Sequence, residues 1–305
     1  MSATTVHPPT TRHGDQVAGE AAHSTRPKSS IRKILGKGFT LGAVGVWLVL
    51  VLGPYLIMLL TSLTPQQELL APGSQIIPQN PTLDAYKDLA EATPFFQFLG
   101  NSAMVAFGTV VLSLLAATTT AISLSRFRFR GRQTILTSLL IAQLFPAVLL
   151  VIPLQGELRQ SGLLDTIPGL ILINATFATP FAVWLLKGFL DSLPASLDEA
   201  ARIDGCSAFQ MVRHILLPLM KPGLTAAGTY IFIFSWNEFL YALTFTQSNL
   251  THTVPVGLHL FIGEYQIRWD LLTAGGVVAA IPVLIGFMLV QRNLIDGLTA
   301  GAVKG

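Results

Sequence analysis

Six apolar runs, each close to the ~20 residues that a helix needs to cross the hydrocarbon of a bilayer, constrain this chain more than any other feature. They fall at about 39–62, 98–123, 134–154, 167–186, 224–246 and 271–294. Only 11% of the 305 residues are charged, against about 25% in soluble domains. A large soluble core is excluded, and an all-α polytopic membrane protein with six transmembrane helices is expected. Pro54, Pro146, Pro180 and Pro282 lie inside runs. Each removes a backbone donor and tends to kink its helix, which a membrane bundle tolerates.

The lysines and arginines sort by side. The stretch before the first run holds Arg12, Arg26, Lys28, Arg32, Lys33 and Lys37; the turn after the second holds Arg126, Arg128, Arg130 and Arg132. The loop after the fourth holds Lys187, Arg202, Arg213 and Lys221, and the end of the chain holds Arg292 and Lys304. Of 19 basic residues, only Lys87, Arg159 and Arg268 fall on the other side. Positive loops stay inside, so both termini and the loop at 194–218 are expected in the cytoplasm. The net charge of +3 is thereby a topology signal rather than one for nucleic acid.

Residues 1–37 read as a disordered basic tail, 38–296 as the membrane domain and 297–305 as a cytoplasmic C-terminal tail. His7, His13 and His23 lack ligand spacing, and the single cysteine, Cys206, excludes an intrachain disulfide. The longest outer loop, 63–94, is rich in proline and ends in a short amphipathic helix at 83–92.

The loop at 194–218 is polar and sharply punctuated. Ser196 before Asp198 and Glu199 reads as an N-cap with acids in the first turn. Ala200 and Ala201 are small enough to admit another protein surface, and Gly205 suits the left-handed turn that ends a helix. A second helix follows from about Ser207 to Leu217, and Pro218 and Pro222 break it. The pattern Glu199-Ala200-Ala201, Asp204, Gly205, Ile215, Leu217, Pro218 resembles the EAA loop of permease subunits of binding-protein-dependent ABC importers. Asn101-Ser102, Arg126-Phe127-Arg128-Phe129-Arg130-Gly131, Trp236-Asn237-Glu238-Phe239 and the ending from Gly297 to Gly305 are similar to the carbohydrate-uptake branch, in particular to the second permease of maltose-type systems.

The only Asp, Glu, Lys or Arg inside a run and clear of its ends is Glu238, about 22 Å from the start of its span at 1.5 Å per residue. Two readings stay open. With Asn237 and Tyr241 it borders a transport pathway and hydrogen-bonds a polyhydroxylated solute, or it is a structural carboxylate joining helices. Gly276 and Ala280, four apart, suit close helix packing.

The sequence contains no Gly-x-x-x-x-Gly-Lys-Ser/Thr phosphate loop and no catalytic constellation, so an enzyme is not expected. The resemblance implies the fold of type I ABC importer permeases with cytoplasmic coupling helices, placed in the cytoplasmic (inner) membrane of a bacterium or archaeon. It implies a homologous permease as partner in a heterodimer, two ATPase subunits that carry ATP and Mg, and an extracytoplasmic sugar-binding protein or lipoprotein; this chain itself holds no cofactor. Glu199, Ala200, Ala201, Asp204, Gly205, Ile215, Leu217 and Pro218 are then the ATPase-docking set. The expected cargo is a disaccharide or oligosaccharide such as maltose, maltodextrin or trehalose. The alternative is a non-sugar polar solute such as glycerol phosphate or a polyamine.

Overall fold

The computed structural model describes residues 29–73, 75–263 and 266–302, with side chains described over 40–288 of these and at 290 and 291. The helices, in order, are α1 (Ser29–Ser62), α2 (Gln66–Leu69), α3 (Asp84–Glu91), α4 (Phe95–Arg126), α5 (Arg132–Ala142), α6 (Val151–Gln160) and α7 (Ile167–Ser192). There follow α8 (Ser196–Ile203), α9 (Ala208–Met211), α10 (Leu217–Leu219), α11 (Lys221–Trp236), α12 (Leu240–Phe245), α13 (Val254–His259) and α14 (Trp269–Ala302). The only β pairing among the described residues is an isolated bridge between Ile262 and Ile267.

Four of the expected spans are single helices, with apolar segments Thr40–Ser62, Phe95–Arg126, Ile167–Ser192 and Trp269–Met288. The third is broken. α5 and the helix from Ala147 to Gln160 meet at 92°, and Pro146 stands at the break. The fifth is also broken: α11 ends at Trp236 and the helix resumes only at Leu240. α1 begins at Ser29 and α14 runs on to Ala302, so helix extends into both stretches expected to be tails. The rest of the expected N-terminal tail, 1–28, lies outside the described residues.

By internal contacts the chain divides into two units, 1–53 and 54–305. In the first, α1 exposes Leu41, Trp47, Val49 and Leu50 on several faces, a surface suited to lipid. The second unit is built on α4 and α7. Ser125 reaches Asp191 where both helices end, so the two run in the same direction. Ala117 and Ala121 of α4 and Ala178 and Ala182 of α7 are fully buried, and their spacing of four presents one small-residue stripe to the interface. α11 returns antiparallel: its first turn meets the end of α7 at Phe189, and the Ser235 hydroxyl near its last turn donates to Thr109 Oγ1 at 3.3 Å.

Close approach sets several glycines, Gly223 and Gly276 among them. A Cβ on Gly223 would lie 2.8 Å from Phe189 Cγ, and one on Gly276 3.1 Å from Met58 Sδ, which places the latter at a helix contact as its sequence context suggested. Phe95, Phe98, Leu89, Val254 and Leu271 form a separate core beneath α3.

Gly223→Val is expected to destabilise the protein by about 1–3 kcal/mol through overpacking against Phe189. Gly188→Ala, with nothing within 4 Å of its Cβ, is expected to be neutral or slightly stabilising, because alanine favours helix. Thermal unfolding of the detergent-solubilised protein checks both.

Candidate functional site

α8, the turn at Gly205 and the helix from Ala208 to Leu219 form a knob at the end of the bundle where α4 and α7 finish. Gly205 has φ +77°, the left-handed conformation that an L side chain resists, and the Cys206 N–H donates back to Ala201 O at 2.9 Å. The expected N-cap at Ser196 does not form. Ala195 occupies the cap without a side-chain bond, and Ser196 is already helical. The second helix does start as expected: Ser207 caps it, accepting from the Gln210 N–H while the Gln210 side chain accepts from the Ser207 N–H. A π-helical segment, Val212–Leu216, runs through its middle, and a 73° bend leads into α11.

The docking set divides between surface and interior. Glu199, Ala200, Asp204, Gly205 and Pro218 are exposed, whereas Ile215 and Leu217 are half-buried. Ala201 is 2% exposed and packs into the protein's own core with Leu190, Met211 and Leu216. Its smallness serves intramolecular packing, a correction to its expected place on a docking face. The knob instead displays two apolar residues that the motif did not single out, Ile203 at 86% and Phe209 at 70% exposed. They are legible only once the helix faces are known.

The basic turn and the knob lie together. Arg126 Nε, at the last turn of α4, stands 3.1 Å from Asp198 Oδ2 in α8, with the side chains 9% and 14% exposed. One residue earlier, the Ser125 hydroxyl donates to Asp191 Oδ1 at 2.6 Å, and Lys187 pairs with the other oxygen of Asp191.

In the fifth span, the break exposes backbone N–H groups that Glu238 satisfies. Its Oε1 accepts from the Tyr241 N–H at 2.7 Å and its Oε2 from the Ala242 N–H at 2.9 Å. Glu238 thus caps α12. The Tyr241 hydroxyl donates to Ala147 O at 3.2 Å, at the break of the third span, and its ring stacks on Phe177 at 4.9 Å. Asn237 turns away, its amide donating to Ile233 O in its own helix. Glu238 and Tyr241 are brought together and Asn237 is not. None of the three lines the cavity of about 900 Å³ between α4, α11 and α14, whose wall is apolar: Phe107, Phe232 and Phe287 among others.

At the far end, Asp165 joins two loops. Its φ of 58° is tolerated by Asp better than by most residues. Oδ1 accepts from the Gln247 N–H at 2.8 Å, from the N–H and hydroxyl of Ser248, and from the Thr251 hydroxyl. Partial burial pushes this carboxyl up, but the bonds from Gln247, Thr251 and Ser248 outweigh it, so its pKa lies below the usual value. From the other side Asn101 Nδ2 donates to Leu250 O and His252 O, both at 2.9 Å. The Ser102 hydroxyl accepts from the Val254 N–H at 2.8 Å. Nearby, Arg268 pairs with Asp270 and Asp88, and the hydrogen bond to Asp270 raises its pKa.

This arrangement of unbroken and broken spans beside a helical knob is the fold of ABC importer permeases. The crystal structure of a bacterial ABC transporter involved in the import of the acidic polysaccharide alginate matches with a TM-score of 0.74, at 24% identity, over 88% of this chain and 99% of that one. The family model for the binding-protein-dependent transport system inner membrane component matches residues 109–299. The chain belongs to that family. It is 35% identical to the sulfoquinovosyl glycerol transport system permease protein SmoH of Agrobacterium fabrum, over 88% of this chain and 95% of that protein. It is 36% identical to the trehalose transport system permease protein SugB of Mycobacterium tuberculosis, over 76% and 85%.

Two outcomes follow. Glu238→Ala is expected to cost about 0.5–2 kcal/mol by uncapping α12. Glu238→Gln, which keeps one acceptor, should cost less; thermal unfolding of both checks the order. Asp165 has a lowered folded pKa, so its contribution is complete above the unfolded value of about 3.9 and is lost as pH falls through the folded value beneath it. Asp165→Ala should lower the melting temperature at pH 7, and its effect should shrink progressively as the pH falls below the unfolded value, read from melts across pH.

Proposed function

We propose that this chain is one permease subunit of an ATP-driven importer of a sugar, working by alternating access with a homologous permease as partner. Its knob docks on a cytoplasmic ATPase subunit, and an extracytoplasmic binding protein delivers the solute. The observation that carries this reading is the exposure of Ile203 and Phe209 on a knob that also displays Glu199, Ala200, Asp204 and Gly205 of the EAA pattern. Burying two such side chains contributes roughly 1.5–3 kcal/mol each, enough to anchor a contact, and Glu199 and Asp204 rim it with charge. The two curated relatives described above, whose names give trehalose and sulfoquinovosyl glycerol transport systems, support a glycoside as the cargo. Trehalose, other disaccharides and oligosaccharides fit that class.

In this reading the sixteen inward-sorting basic residues hold both termini and the knob in the cytoplasm. ATP and Mg bind the ATPase pair, whose closure draws the knobs together and opens the permeases outward. Nucleotide drives the change only through different affinity for the two states. Each oxygen of Glu238 accepts a backbone N–H, which favours the structural reading of that carboxylate over the pathway one.

Affinity purification of the tagged chain from its native membrane should recover a second permease, an ATPase and a binding protein. Ile203→Asp and Phe209→Asp should each lower ATPase recovery about tenfold or more, while Arg130→Ala, an exposed charge off the knob, leaves it unchanged. A tagged native chain that carries no ATPase overturns the reading.

A further inference from the structure

We propose that the Arg126–Asp198 pair rivets the knob to α4, and that α4 acts as a continuous rod carrying movement of the knob to the loop at 247–253. The source of the push rests on the importer reading above; the joint itself does not.

Among the described residues this is the one ion pair that links α8 to another element. It is well buried; Arg126 Nε, Arg126 Nη2 and Asp198 Oδ1 are all enclosed without a hydrogen-bond partner, so charge attraction across the 3.1 Å contact, not hydrogen bonding, joins the pair. Removing either member leaves an uncompensated buried charge, which disturbs the joint between α4 and α8 more than the loss of a surface pair would. The neighbouring residue adds a second tie, because Ser125 bonds Asp191 of α7. Consecutive side chains in the last turn of α4 therefore grip both helices that lead into the knob.

α4 is suited to pass the movement on. It runs from Phe95 to Arg126 without proline or interruption, about 48 Å at 1.5 Å per residue, whereas the third and fifth spans are broken. Its far end is fastened too. Asn101 holds the carbonyls of Leu250 and His252, and Ser102 holds the N–H of Val254. Arg126 and Asp198 are thus positioning residues; neither touches nucleotide or solute. The loop they reach through α4 presents Gln247, Asn249 and Leu250 at the surface, at the end opposite the knob.

Spatial continuity alone does not show coupling, so the test measures each half. In the full complex in nanodiscs, on a Cys206→Ser background, spin labels at Ala208→Cys and Leu115→Cys report the distance between the knob and α4. Both positions are exposed. The native pair should give one narrow distance without nucleotide. Asp198→Asn should broaden it, Arg126→Lys should broaden it less, and the exchange Arg126→Asp with Asp198→Arg should narrow it again. For the far end, Asn249→Cys is labelled with a water-soluble maleimide with and without ATP, Mg and vanadate. Nucleotide should change the labelling rate, and Asp198→Asn should shrink that change about fivefold, with recovery in the exchange variant. Equal widths in native and Asp198→Asn proteins overturn the rivet. A broadened joint with an undiminished response at Asn249→Cys overturns the rod. A native chain that carries no ATPase defeats the importer reading instead, and the nucleotide-free widths still decide the rivet.

Discussion

A backbone amide or carbonyl in hydrocarbon must find its partner within the protein, and this requirement shapes the second unit. Two spans are interrupted, and each interruption releases polar groups where water is scarce. The chain answers with three side chains. Gln143, beside the break of the third span, donates to Phe177 O of α7, Glu238 accepts from the Tyr241 and Ala242 N–H groups in the first turn of α12, and Tyr241 reaches from one break to the other through its hydroxyl. The interruptions lie against each other and share their donors. A carboxylate that looks costly in isolation here supplies the acceptors from which a helix restarts.

The two ends of the bundle are built differently. At the arginine end, alanine stripes bring α4 and α7 close, and Leu186, Leu190, Leu216 and Met220 seal the base of the knob. At the far end, a small core of Phe95, Phe98 and Val254 is joined by polar ties: Asn101 donates to loop carbonyls, and Asp165 and Ser102 accept from loop amides. Such polar ties are directional in a way that apolar contacts are not.

Much of this was readable beforehand. Hydropathy located the four unbroken spans, and two further apolar runs that the structure bends into helix pairs, because length and apolarity are properties of composition along the chain. Gly205 was legible as a left-handed turn because few other residues accept that conformation. Pro146 marked a disturbance within its run, though not that the helix would turn through 92°. Less was legible where a side chain's meaning depends on which way its helix faces. The Glu-Ala-Ala spacing does not reveal that Ala200 is outside and Ala201 inside, since a 100° step separates neighbours on a helix. Glu238 left two readings open because the end of α11 at Trp236 is not written in propensity. Arg126 looked like one of four equivalent topological charges, and only the approach of α8, some seventy residues later in the chain, distinguishes it.

Cys206 sits half-buried at the turn of the knob, beside the glycine that shapes it, and it is the only thiol in the chain. The protein therefore carries a native reporter at the place where its surface chemistry changes most. Whatever covers the knob changes the reach of a thiol reagent, so occupancy of that surface can be followed on the unmodified polypeptide by the alkylation kinetics of a single atom.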